Sequence, residues 1–182
     1  TGPSDRFWYL SDGGHFEDTG MYELVRRRVP LIIAVDAGED PDYHFNDLAR
    51  FTRLVRLDFG AEIQWLDPST ARQNGWAALD PTIPGWVTKW IDPTMLGCRE
   101  KIAREGPCHA AMAKISYSDS SQASWVLLIK TSLTGDESVD VLQYSTQDLL
   151  FPNSPTTNQF FGDSQWESYR ALGYHIGTKL FI

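Results

Sequence analysis

Phe7-Trp8-Tyr9-Leu10-Ser11-Asp12-Gly13-Gly14-His15-Phe16-Glu17 reads as a short apolar strand that stops at a carboxylate and two glycines. Gly13 and Gly14 can take positive φ and allow a close backbone approach, so the chain can turn sharply there. Asp12 then stands at the carboxyl end of the strand, where ligands and chemistry collect in open α/β sheets. A plainer reading stays open at this point. Asp-Gly is a common turn signal, and Asp12 would then only bond the backbone of its own loop.

Downstream, Met21, Leu24, Val25 and Arg28 fall at helical spacing. Arg26, Arg27 and Arg28 complement the negative end of that helix's dipole. A solvated helix end is the expectation for them, with an anionic lipid surface as the alternative. Pro30 prevents the helix from continuing. Leu31-Ile32-Ile33-Ala34-Val35-Asp36-Ala37-Gly38 is a continuous apolar run ended by Asp and Gly. That pattern suits a strand buried on both faces of a parallel sheet. Strand, helix and strand in this order make a βαβ unit with a right-handed crossover.

The acidic loop that follows carries Asp36, Glu39, Asp40, Asp42 and His44. Its spacing does not match an EF-hand, and no Cys/His pairing accompanies it, so neither a metal nor a cofactor is expected. Phe45 to Phe59 forms a second helix, with Phe45, Leu48, Ala49, Thr52, Val55 and Phe59 on one face, Asn46 as N-cap and Gly60 as its stop. Ala61 to Leu66 gives a short strand. Residues 68–107 show no sustained period and read as an irregular, tryptophan-bearing insertion, packed on the domain edge or bordering a site. Cys108 to Tyr117 and Ser124 to Thr131 read as an antiparallel hairpin, with Lys114 and Lys130 on its exposed side. A short helix falls within Gly135 to Leu150. A last helix, Ser164 to Leu180, opens on a capping box of Ser164 and Glu167, and Trp166, Tyr169, Gly173, Ile176 and Leu180 share a face.

The 182 residues suit one domain. A formal charge of −8 argues against nonspecific nucleic-acid binding, because phosphate contacts need a basic surface. No apolar run approaches the roughly 20 residues that span a bilayer. The chain opens Thr1-Gly2-Pro3 without a signal-peptide pattern, as at a cut boundary. Cys98 and Cys108 could pair, but reduced packing residues are the expectation.

Several ordered motifs together resemble a known family. Ser11-Asp12-Gly13-Gly14-His15-Phe16-Glu17, Gly20, Tyr22-Glu23-Leu24, Arg26-Arg27-Arg28 and Ile32-Ile33 to Asp36-Ala37-Gly38 resemble the carboxyl-terminal part of the catalytic domain of bacterial patatin-like phospholipases. The likeness continues in Lys130-Thr131-Ser132-Leu133-Thr134-Gly135-Asp136-Glu137, Phe151-Pro152, Gln159-Phe160-Phe161, Gln165-Trp166-Glu167, Tyr169-Arg170 and Leu172-Gly173. It covers most of the chain outside residues 68–107.

The resemblance implies a three-layer α/β/α fold, mostly parallel with a C-terminal antiparallel hairpin, present here in part. It implies serine acyl hydrolase chemistry on phospholipid or another lipid ester by a Ser–Asp dyad, with the nucleophile in a Gly-x-Ser-x-Gly elbow and a glycine-rich oxyanion loop. Asp12 matches the dyad acid, Gly13 and Gly14 shape its turn, and His15 is a loop-fixing neighbour rather than a base.

This chain contains neither the elbow nor the oxyanion loop. Asp12 is therefore expected to work with an upstream half of the same hydrolase domain, and the chain alone to be inactive. An exposed sheet edge, self-association or marginal stability are further expectations. A noncatalytic interaction or regulatory domain on the same fold is the alternative function, and a metal-dependent hydrolase built on the acidic loop a distant third. Location stays open between bacterial cytoplasm and membrane association through a larger parent protein.

Overall fold

The computed structural model describes residues 4, 6–7, 11–67, 69, 80, 82–83, 85–91, 95–97 and 108–181. A four-stranded sheet forms the centre, in the order β1-β4-β3-β2. Its strands are β1 (Leu31–Asp36), β2 (Ala61–Trp65), β3 (Ala110–Tyr117) and β4 (Ser120–Lys130). The helices are α1 (Met21–Arg26), α2 (Asn46–Phe59), α3 (Gly85–Trp90), α4 (Val139–Gln147) and α5 (Asp163–Leu180).

Strand alternation divides the core in two. Ile32 and Ala34 of β1, Val126 and Leu128 of β4, and Ala113 and Ile115 of β3 meet Met21 and Val25 of α1 and Leu48, Phe51 and Val55 of α2. The opposite-facing residues Met112, Trp125, Leu127 and Ile129 meet Val87 of α3, Val141 of α4 and Leu172, Ile176 and Leu180 of α5. Helices thus lie on both faces of a mixed sheet. Burying two faces of each central strand explains why β4 is buried without interruption from Ser124 to Lys130.

The sheet is not mostly parallel. Among the described strands, β1 and β4 are the pair that runs parallel, with Asp36 opposite Lys130 at their carboxyl ends. The β2–β3 and β3–β4 pairs are antiparallel. The hairpin expected at the C-terminal side is present, but it inserts between β1 and β2 and occupies the middle of the sheet. A hairpin whose two strands are apolar on both faces has no solvent-facing side, and a central position is the one that buries both. Of the first strand of the expected βαβ unit, Trp8, Tyr9 and Leu10 lie outside the described residues, and Phe7 lies exposed in a bend.

Three local expectations also change. Lys130 was expected on the exposed side of the hairpin, yet its side chain is fully buried against Asp36. Lys114 is largely covered and pairs with Asp80 at 2.8 Å. Asn46 does not cap α2; Phe45 takes that place at φ +54, and the Asp40 carboxylate accepts the N–H groups of His44 and Phe45, each at 2.8 Å. Gly60 does end the helix, at φ +55.

The capping box at the start of α5 is not formed. Gly162 is the cap, and Glu167 instead pairs with Arg170. The buried face of α5 is Gln165, Ser168, Leu172, Ile176 and Leu180, so Trp166 is exposed. Of the 68–107 segment, α3 and Leu96 belong to the core rather than to a loop over the edge. Cys98 lies outside the described residues, and Cys108 is buried.

Arg26 and Arg27 both pair with Glu23 on the surface. Arg28 crosses to the hairpin turn, where it bonds Asp119 at 2.7 Å and lies over the Tyr117 ring.

Candidate functional site

The Asp-Gly-Gly turn is a single turn of 3-10 helix, Gly13–His15, with Asp12 as its N-cap. Asp12 Oδ1 accepts the Gly14 N–H at 3.0 Å. Among the described residues, its second oxygen has no hydrogen-bond partner, and the residue is exposed. Neither Gly13 nor Gly14 takes a positive φ. A Cβ at Gly14 would meet Asp18 Oδ1 at 2.5 Å, the movable end of an exposed side chain. Gly13 has open space around it.

His15 is fixed in the same turn. Its Nδ1 lies 2.7 Å from Ser11 Oγ, and its carbonyl accepts Arg50 of α2 at 3.1 Å. Glu17 is buried and ties the turn to α1. Its carboxylate accepts the N–H groups of Thr19 at 2.7 Å and Tyr22 at 3.2 Å, and the Thr19 hydroxyl as well.

The turn rests beside the carboxyl ends of the parallel pair. Lys130 Nζ bonds Asp36 Oδ1 at 3.0 Å, and the same oxygen accepts the Gly38 N–H at 3.1 Å. Asp47, in the first turn of α2, stands between this pair and Asp18. Burial raises the Asp47 carboxyl above its ordinary range, followed by the charges of Asp18 and Asp36 and a hydrogen bond to Asp18; Lys130 partly offsets the rise. The turn, α2 and the β1–β4 pair thus share one polar network. A cleft of about 200 Å³ opens over it, lined by Asp36, Gly38, Glu39, Asp40, Phe45, Asn46 and Asp47.

The structure therefore brings Asp12, Gly13, Gly14 and His15 together in one turn. The sequence had singled out Asp36 as the end of an apolar run and as part of an acidic loop, and had missed Asp18, Asp47 and Lys130 as a connected group. The one available signal was that Asp36 and Lys130 each end an apolar run, which is where a parallel pair would bring them together.

An apolar opening lies elsewhere, on the α3 and α5 side. Leu31, Ile33, Val87, Trp90, Ile91 and Phe181 line about 310 Å³. Ile33 is 49% and Val35 65% exposed on β1, which is an edge strand among the described residues. Comparison with family models, with curated proteins and with solved structures returns no match for this chain.

Proposed function

We propose that the chain supplies the acid/base half of a patatin-like serine acyl hydrolase, with Asp12 as the dyad carboxylate and lipid or another ester as substrate. The observation that carries this reading is the state of Asp12. One oxygen is pinned to the Gly14 N–H, and the other has no hydrogen-bond partner among the described residues, on an exposed side chain. A carboxylate held this way can accept a hydrogen bond from an incoming alcohol without giving up its own support.

In that reading the serine comes from residues beyond this chain, in a domain whose full sheet is the three-layer patatin-like arrangement. The serine hydroxyl donates to the open Asp12 oxygen. As its oxygen attacks the ester carbonyl, the proton passes to Asp12, which then returns it to the departing alcohol. Water repeats the exchange on the acyl-enzyme. The polar network under the turn keeps Asp12 in register for both transfers. His15, bonded to Ser11, serves the turn rather than the chemistry.

The test is ester hydrolysis by the protein that the parent gene encodes. Asp12→Asn is expected to lower kcat by about 10³-fold or more, within the range for loss of an acid/base group, with an unchanged circular dichroism spectrum. Wild-type turnover in that variant overturns the assignment. The exposed β1 edge and its apolar opening favour the second reading, a noncatalytic binding domain. In that case the parent protein hydrolyses no ester, and Asp12→Asn changes nothing.

A further inference from the structure

A second cluster of chemistry-bearing side chains has no part in the dyad reading. His109 immediately precedes β3, Asp136 and Glu137 lie in the loop from β4 to α4, and His175 lies on α5. One ligand atom from each of the four lies within 4.8 Å of every other. The two rings meet edge to face, with centroids 5.9 Å apart.

The cluster is built rather than accidental in its packing. His109 is 2% and Glu137 6% exposed. His109 Nδ1 lies 3.1 Å from Ser132 Oγ, which fixes the ring and leaves Nε2 facing Thr134 Oγ1. Thr134 Oγ1 sits among three of the four groups, 3.3 Å from His109 Nε2, 2.7 Å from Asp136 Oδ1 and 3.2 Å from Glu137 Oε1. His175 Nε2 is 3.1 Å from Asp136 Oδ1. Lys179, one turn further along α5, bonds the other Asp136 oxygen.

We propose that His109, His175, Asp136 and Glu137 form a zinc site, for which the Lys179 ammonium is the resident counter-charge when metal is absent. The donor set fits the metal: two imidazoles and two carboxylates converge from separate elements, and Zn²⁺ takes four such ligands in a tetrahedron. Two carboxylates and two neutral imidazoles carry a charge of −2, which Zn²⁺ balances. Ser132 supplies the outer hydrogen bond that orients a ligating histidine. Zn–N and Zn–O bonds of about 2.0–2.2 Å need ligand atoms nearer than they stand here. Glu137, held by the Thr134 and Gly135 N–H groups at 2.6 and 2.8 Å, offers a remaining lone pair, and the more exposed Asp136 and His175 move toward it. The exposed side of Asp136 and the loop edge give the ion its entry.

Lys179 makes the proposal specific. Its charge opposes the ion, so removing it should tighten zinc binding while removing an ion pair from α5. A purely structural cluster, in which Asp136 only latches the loop to α5, gives the opposite pattern: no zinc, and a lower melting temperature on loss of Lys179.

The experiment titrates the purified chain with Zn²⁺ alone, in competition with a chromophoric chelator near neutral pH, and repeats it with Co²⁺ for its absorption spectrum. One ion per chain, a tetrahedral cobalt spectrum, binding weakened 100-fold or more in His175→Ala and strengthened about tenfold in Lys179→Met are expected. His15→Ala and His44→Ala, which change the remaining two histidines, should leave binding unaltered. His175 lies at the edge of the cluster, so its variant is the one to keep folded, as checked by circular dichroism. Substoichiometric binding, an octahedral spectrum, or affinity unchanged in His175→Ala overturns the site. So does Lys179→Met binding no more tightly than wild type.

Discussion

Replacing Lys130 with Met should be among the most damaging single changes in this chain. The Lys130 side chain has no exposed surface, and its ammonium bonds Asp36 Oδ1 at 3.0 Å, where the two strands end opposite each other. Met keeps the volume of the stem but leaves the Asp36 carboxylate beside an apolar wall. Breaking a buried pair from one side costs about 3–5 kcal/mol. Asp36 retains the Gly38 N–H, and its side chain is 14% exposed, so the lower end, about 3 kcal/mol, applies. With a urea m-value of roughly 2 kcal/mol/M, the unfolding midpoint should fall by about 1.5 M. The double variant Asp36→Asn/Lys130→Met removes both charges and keeps an acceptor for Gly38. It should recover to within about 1 kcal/mol of wild type, because a buried pair replaced as a unit is close to neutral. The assay is equilibrium urea unfolding followed by tryptophan fluorescence. A midpoint for Lys130→Met within about 0.3 M of wild type, or a double variant no better than the single one, refutes the argument.

Asp47 gives a pH dependence of the opposite sense to most acid unfolding. Its folded carboxyl is raised, so between its unfolded and folded values the native state binds more protons; its contribution is full below the unfolded value and is lost as pH rises through the folded one. Asp47→Asn should therefore remove a decline in stability on the alkaline side of the ordinary Asp range, and parallel pH–stability curves for the two proteins would count against this. The β1 edge should mediate self-association. Val35→Lys puts a charge on an exposed apolar position of that strand and should shift the chain to monomer in sedimentation velocity, whereas a wild type already monomeric across the micromolar range removes the basis for it.

The fold was legible wherever an element kept one period from end to end. β1, α2 and the two hairpin strands are clear in the sequence because their apolar residues recur at 2 or 3.6, or run without a break. Sheet order was not legible. The apolar runs of β3 and β4 say that both faces are covered, but not that the hairpin inserts between β1 and β2. That depends on which neighbours cover it. Lys130 shows how local pattern misleads: a lysine ending a strand looks solvated until a carboxylate from a distant strand meets it. The face of α5 was misjudged by one residue because aromatic Trp166 drew the apolar stripe toward itself, while the small polar Ser168 packs inward. Residues 85–96 looked irregular because Pro, Gly and Trp are scattered among core positions; Ile83, Val87 and Ile91 do recur every four residues, but the run is too short to stand out.

The opening motif was legible as a turn, but its glycines are not used as expected. Neither takes a positive φ, and what a side chain at Gly14 would meet is the movable end of Asp18 rather than backbone. Asp12 is held by a bond within the turn, from the Gly14 N–H to its Oδ1, and the turn is held by Arg50 of α2, which donates to the His15 carbonyl. Asp47 of the same helix bonds Asp18 and feels the charges of Asp36 and Lys130. The α2 helix, which carries both Arg50 and Asp47, therefore connects the turn with the β1–β4 pair. The long-range links have no local signature, because each joins single polar residues far apart in the chain: His15 and Arg50, Asp18 and Asp47, Asp36 and Lys130. A change at Lys130 should accordingly reach Asp12 without touching it, and protection of the Gly14 amide against hydrogen exchange should fall in Lys130→Met and return in the double variant.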